Sequence, residues 1–189
     1  MEPAYTDLRI LKTRKKIKQA FITLIASRSL ETITANDLIT TAKISRGAFY
    51  RHFKDKEDLI LQLQTEALAG VKQILTLLQN SDKQTFFFQL LNYLQHEGYL
   101  LSLLISTHGS NETRAQLKYF IQQHAESQIV PYIKTTVTTP IEKHYLIIYY
   151  SNAAFGVLED WVNSGQKETP AEMMLILDKI VPLEFKNQI

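Results

Sequence analysis

The side chains with the most usable chemistry stand close together in SRGAFYRHF, residues 45–53. Arg46 carries a planar guanidinium that can bond a guanine edge through two hydrogen bonds. Gly47 and Ala48 are small and lie near the start of a short helical pattern. They let a backbone approach base edges, and the Ala48 methyl can meet a thymine methyl. Tyr50, Arg51 and His52 follow within reach of phosphate oxygens, which fix register without reading sequence. His52 reads equally well as an ordinary surface histidine. Thr34 and Lys56 mark the starts of two other helical patterns, where free N–H groups attract anions. Phe49 and Phe53 read as packing side chains that hold the helix in place. Together the set has the chemistry of duplex DNA recognition.

Positioning that set takes at least four helices. The first spans 7–28, with Leu11, Ile17, Ala20, Phe21, Leu24 and Ile25 on one face. Arg9, Lys12, Arg14, Lys15, Lys16 and Lys18 crowd its first half, a self-repelling arrangement relieved by a nearby polyanion. Ser29, Leu30 and Glu31 break it. Thr34 caps a second helix over 35–42, with Asp37 three residues on. Lys43 and Ile44 make a tight turn, and Ser45 caps the third helix, 46–52. Asp55 caps a fourth, from Lys56 to about Leu78, which runs on into the rest of the chain. The pattern over residues 34–58 is a helix-turn-helix.

Beyond it, 84–97 reads as a helix, with a break at Gly98 and a short apolar helix after it. Residues 107–111 form a loop, and Asn111 can cap the next helix, in which Pro131 predicts a kink or an early end. Residues 136–140 read as a loop and 141–163 as a helix, although the run YLIIYY has strand propensity. Thr169-Pro170 opens the last helix, with Pro170 at its first position. The expected class is all-α with about nine helices: an N-terminal three-helix helix-turn-helix domain, 1–58, and a C-terminal helical ligand and dimerisation domain, 59–189.

Charge divides along the same line. Residues 1–60 hold 12 Lys/Arg against 7 Asp/Glu, and residues 61–189 hold 9 against 12. This separates a basic module from a mildly acidic one. There is no cysteine, which removes disulfides, thiolate metal sites and cysteine nucleophiles, and suits a reduced, cytoplasmic location. No signal peptide and no apolar run long enough to span a membrane is visible. The sequence lacks G-x-S-x-G, G-x-G-x-x-G and P-loop motifs, and His96-Glu97 has no second histidine four residues on. No enzyme, metal site or cofactor is expected.

The basic first helix is followed by T-x-x-D-L at 34–38, A-x-I-S at 42–45, G-x-F-Y-x-H-F at 47–53 and K-D-K-E-D-L at 54–59. Over residues 8–58 this resembles the N-terminal domain of the TetR/AcrR family of bacterial transcriptional regulators. The resemblance implies an all-α homodimer in which Thr34, Arg46, Gly47, Ala48, Tyr50, His52 and Lys56 occupy DNA-facing positions. Residues 149–165 and the following ETPAEMM look like the C-terminal domain of a branch that includes dihydroxyacetone kinase regulators. The expected function is a sequence-specific regulator, a repressor released from its palindromic operator by a small molecule. The alternative keeps the DNA module and makes the C-terminal module a ligand-independent, co-activator-type platform for a protein partner.

Two further groups follow from residue type. Small residues at Ala153, Ala154 and Gly156, with Val157, Trp161, Met173, Met174 and Leu177, suit a four-helix dimer interface. Intrachain packing is the competing reading. Phe87, Tyr93, Tyr99, Leu103, Tyr119 and Gln123 are candidates for the lining of an effector pocket.

Overall fold

A computed structural model describes residues 5–77, 81–128 and 137–180. These residues form nine helices and no strand. They are α1 (Tyr5–Ile25), α2 (Ala35–Ala42), α3 (Arg46–Tyr50), α4 (Lys56–Leu77), α5 (Lys83–Gln95), α6 (Tyr99–Ile105), α7 (Asn111–Gln128), α8 (Pro140–Asn163) and α9 (Pro170–Ile180). A single 3-10 turn, Leu30–Thr32, lies between α1 and α2. The all-α class and the division into helix-turn-helix and helical C-terminal parts are as the sequence predicts.

Helix boundaries differ in instructive ways. The first helix ends at Ile25 rather than residue 28, and the Arg28 N–H still reaches the Leu24 carbonyl at 3.0 Å in the closing turn. The third stops at Tyr50, and Arg51 and His52 make the turn that follows. Ser110, not Asn111, caps α7, its hydroxyl accepting from the Thr113 N–H at 3.3 Å. Pro140, read as loop, is the first residue of α8, behind a Thr139–Glu142 capping box. The kink expected at Pro131 lies outside the described residues.

The helix-turn-helix is held by a core that the 3.6-residue period foretells. Ile17, Phe21 and Ile25 of α1 are fully buried, with Leu38 of α2, Phe49 and Phe53 around α3, and Leu59 of α4. Helix α6 is apolar apart from Ser102, whose hydroxyl donates to the Leu94 carbonyl at 2.7 Å, and Leu100 to Ile105 are all buried. Such a helix is stable only as a hub, and α6 touches α1, α4, α5, α7 and α8. Elsewhere α9 lies along α5 and α7 along α8. The buried Gln64 of α4 donates to the Thr113 hydroxyl of α7 at 2.6 Å, which satisfies both polar groups within the C-terminal part.

Candidate nucleic-acid interface

Each turn of the helix-turn-helix is closed by a local bond that its sequence dictates. The Thr34 hydroxyl accepts from the Asp37 N–H at 3.1 Å, and the Asp37 carboxylate accepts from the Thr34 N–H at 2.9 Å. This capping box satisfies two free donors at the start of α2. The same carboxylate takes the Thr34 O–H at 2.7 Å and an Arg28 N–H at 2.9 Å. Hydrogen bonds from Thr34, then from Arg28, pull the Asp37 pKa down to about 2. At the other end, Lys43 adopts φ 53°, and the Ile44 N–H closes on the Ile39 carbonyl at 3.2 Å. Ser45 then accepts from the Ala48 N–H at 3.2 Å and starts α3. Asp55 caps α4 by accepting from the Asp58 N–H at 2.7 Å.

The third helix has two unlike faces. Phe49 is fully buried and packs on Phe53 with ring centres 5.8 Å apart. Arg46, Gly47, Tyr50 and Arg51 are exposed, and Ala48 and His52 are half-buried beside them. A methyl group added at Gly47 would meet nothing within 4 Å. The fold itself therefore does not demand glycine there; only something approaching from outside can. Thr34 is exposed at the start of α2. Lys56 is more withdrawn: its ammonium lies 3.5 Å from the Leu30 carbonyl and 3.8 Å from the Glu57 carboxylate.

One contributor escapes a reading by residue spacing. Arg14 of α1 lays its guanidinium 5.5 Å from the Phe53 ring centre. This brings a cation of the basic helix beside the residue that follows the turn after α3. Burial, then the positive charges of Arg14 and Arg51, lowers the His52 pKa. Burial first, and then these cations, thus favour the neutral imidazole, and a phosphate would offset the cations. Only the crowding of basic residues in α1 hinted at this; their aim becomes visible in three dimensions.

The remaining predicted residues are more dispersed. Leu103 belongs to the core, Phe87 and Tyr93 pack against it, and Tyr99, Tyr119 and Gln123 are exposed. Tyr93 fills the space beside two glycines: a methyl at Gly70 would lie 2.2 Å from its hydroxyl, and one at Gly98 2.4 Å from its ring. Trp161, Met173 and Leu177 are buried within the chain, and the indole N–H donates to the Glu168 carbonyl at 3.0 Å. Val157 and Met174 are half-buried, and Ala153 and Gly156 are exposed. No group of three or more metal-ligating side chains comes together among the described residues. No helix among them is long and apolar enough to cross a membrane.

Two family models match the chain. The model of bacterial regulatory proteins of the tetR family covers residues 19–63, the helix-turn-helix and the start of α4. The model of a transcriptional regulator C-terminal region covers residues 81–182, more than half of the chain. The chain belongs to the TetR family. It carries the DNA-binding region and the C-terminal region of a transcriptional regulator of that family. A crystal structure of a TetR transcriptional regulator from Streptococcus agalactiae superposes with a TM-score of 0.64 at 21% identity, covering 94% of this chain and 97% of the other. That likeness supports the TetR architecture for the whole fold. An uncharacterised helix-turn-helix-type regulator of Bacillus subtilis, YxbF, is 22% identical over 167 residues, 82% of this chain and 41% of that protein. DhaS of Lactococcus lactis, a dhaKLM operon transcriptional activator, is 30% identical over 88 residues, 41% of this chain and 47% of that protein. The matched regions thus span less than half the length of these curated relatives.

Proposed function

We propose that this TetR-family regulator acts as a homodimer on a palindromic operator and represses until a small molecule binds the C-terminal part. The observation that carries the DNA reading is the exposed face of α3 behind a fully buried Phe49. Arg46, Gly47 and Ala48 read base edges. Thr34, Tyr50, Arg51, His52 and Lys56 hold phosphates, with Arg14 added to that set. We place the boundary between DNA and regulatory domains at residues 58 and 59.

The dimer reading draws on the outer side of α8. Ile141, Tyr145, Tyr149, Ala153 and Gly156 are exposed at spacings of four, four, four and three, one continuous stripe on a helix. A methyl at Gly156 would meet nothing within 4 Å. Leu175, Ile176 and Ile180 are exposed on α9. Large apolar groups left open in this density suit a second copy of the chain. Trp161, Met173 and Leu177 support that surface from behind. The effector reading narrows to Phe87, Tyr93, Tyr99 and Leu103, along α5 and the hub helix α6. A ligand there shifts operator affinity only by binding one arrangement of the two reading heads better than another.

The test begins with operator selection from random duplexes. Arg46→Ala should relax the preference at one base step, costing about 1–3 kcal/mol of discrimination. Lys56→Ala should weaken all duplexes alike and flatten the salt slope by about one unit. If both variants lost affinity in the same pattern, this division of labour would be wrong. A second reading, activation, is favoured by the name of the Lactococcus relative. In vitro transcription from the selected operator decides the sign.

A further inference from the structure

The turn between α6 and α7, residues 106–110, is held from two sides. On one side the Leu30 N–H, in the 3-10 turn beside the helix-turn-helix, donates to the His108 carbonyl at 2.8 Å. The Leu30 carbonyl in turn accepts from the Lys56 ammonium at 3.5 Å. Both polar groups of this one residue are thus engaged, one to the turn and one to the start of α4. On the other side the Thr107 N–H donates to Oδ1 of Asn163, the last residue of α8, at 2.8 Å. Arg114 of α7 reinforces this side, donating to the Ser106 carbonyl and lying 3.7 Å from the Glu159 carboxylate of α8. Inside the turn, a methyl at Gly109 would lie 2.0 Å from the Leu104 carbonyl oxygen. The turn therefore lies flush on α6 and has little freedom to deform.

These bonds make a short path from the end of α8 to the reading element. Asn163 stands at its head. It is exposed, it ends a helix, and the packing of the core does not need its amide. We propose that Asn163 is a positioning residue for DNA binding. By holding the Thr107 N–H it fixes the 106–110 turn on α8, and through Leu30 the turn fixes the reading helix relative to α8. This rests on the reading that α8 forms the dimer surface. In such a dimer, the path sets the separation of the two reading helices and hence the preferred spacing of half-sites.

The role uses only an acceptor oxygen, which gives a clean test. Asn163→Ala removes the acceptor, and Asn163→Asp keeps one. Wild type and both variants, as full chains, are titrated against the selected operator, a single half-site, and operators with base pairs inserted or removed at the centre. Asn163→Ala should remain dimeric by sedimentation and bind the half-site as wild type does. It should lose about fivefold on the intact operator, the worth of one neutral hydrogen bond, and tolerate altered spacing better. Asn163→Asp should keep the wild-type spacing preference. A dimeric Asn163→Ala variant with unchanged spacing preference overturns the proposal and leaves the dimer reading standing. A wild type that sediments as a monomer on and off DNA overturns both.

Discussion

The exposed side of α3 and the outer side of α8 are both open to solvent, yet they are built from opposite materials. Around α3 the open groups are cations, a phenol, a hydroxyl and a bare glycine, and every large apolar side chain except Tyr50 turns inward. Along α8 the open groups are Ile141, Tyr145 and Tyr149, each about two-thirds exposed, followed by Ala153 and Gly156. Against DNA the first surface would gain by displacing counterions from a polyanion, so it would depend on salt. Against a second copy the second would gain by removing apolar area from water, so it would not. On the proposed reading, one chain separates the force that finds DNA from the force that pairs its copies, and each can be varied alone.

The largest way to break the contrast is to remove the support of the reading face. Phe49→Ala should destabilise the protein by about 3–5 kcal/mol, read by chemical denaturation, because a fully buried ring leaves a cavity. Next is the apolar surface. Tyr149→Asp should weaken self-association by about 2 kcal/mol or more, seen as concentration-dependent dissociation in sedimentation, while the melting temperature of the monomeric unit holds. An unchanged dimer would show that the stripe on α8 is idle. A smaller effect is expected at the start of α2. Thr34→Ala should cost about 1 kcal/mol of stability through the lost cap. Its Asp37 partner, with its pKa held near 2, favours the folded state above its ordinary value of 3.8. That contribution is lost as pH falls toward 2, and Thr34→Ala should shrink this acid-range loss in a pH series of melts.

The smallest effect concerns His52. Its depressed pKa favours the neutral ring in the free protein. A phosphate beside it favours the charged ring, so DNA binding should take up at most about one proton and strengthen as pH falls through the histidine range. His52→Gln should abolish that dependence in titrations across this range. If it persisted unchanged, the phosphate would have to be assigned to other groups.

Much of the reading element was legible in the sequence because its signals are local. Thr34 with Asp37, Ser45 with Ala48, and Asp55 with Asp58 are each separated by three residues, and each is a cap in the structure. Phe49 inward and Arg46 outward follow from residue type, since positions three apart lie on neighbouring parts of one helix side. What stayed hidden joins distant parts of the chain. The Leu30–His108 and Gln64–Thr113 bonds cross 78 and 49 residues, and no periodicity records them. In α8 and α9 the difficulty is different. These helices are apolar on more than one side, so the pattern does not say which side meets the chain's own core. The structure puts Trp161, Met173 and Leu177 inside, and leaves Tyr145, Tyr149, Leu175 and Ile180 outside.

The empty space around Gly47 has one more consequence. Two of the three residues that would read bases, Arg46 and Gly47, are exposed, and a methyl added at Gly47 would meet nothing within 4 Å; only Ala48 is half-buried. Substitutions there are therefore free to change which sequence is recognised without first threatening the fold. A regulator so built can be re-addressed to a new promoter one residue at a time, and its Phe49 anchor need never change.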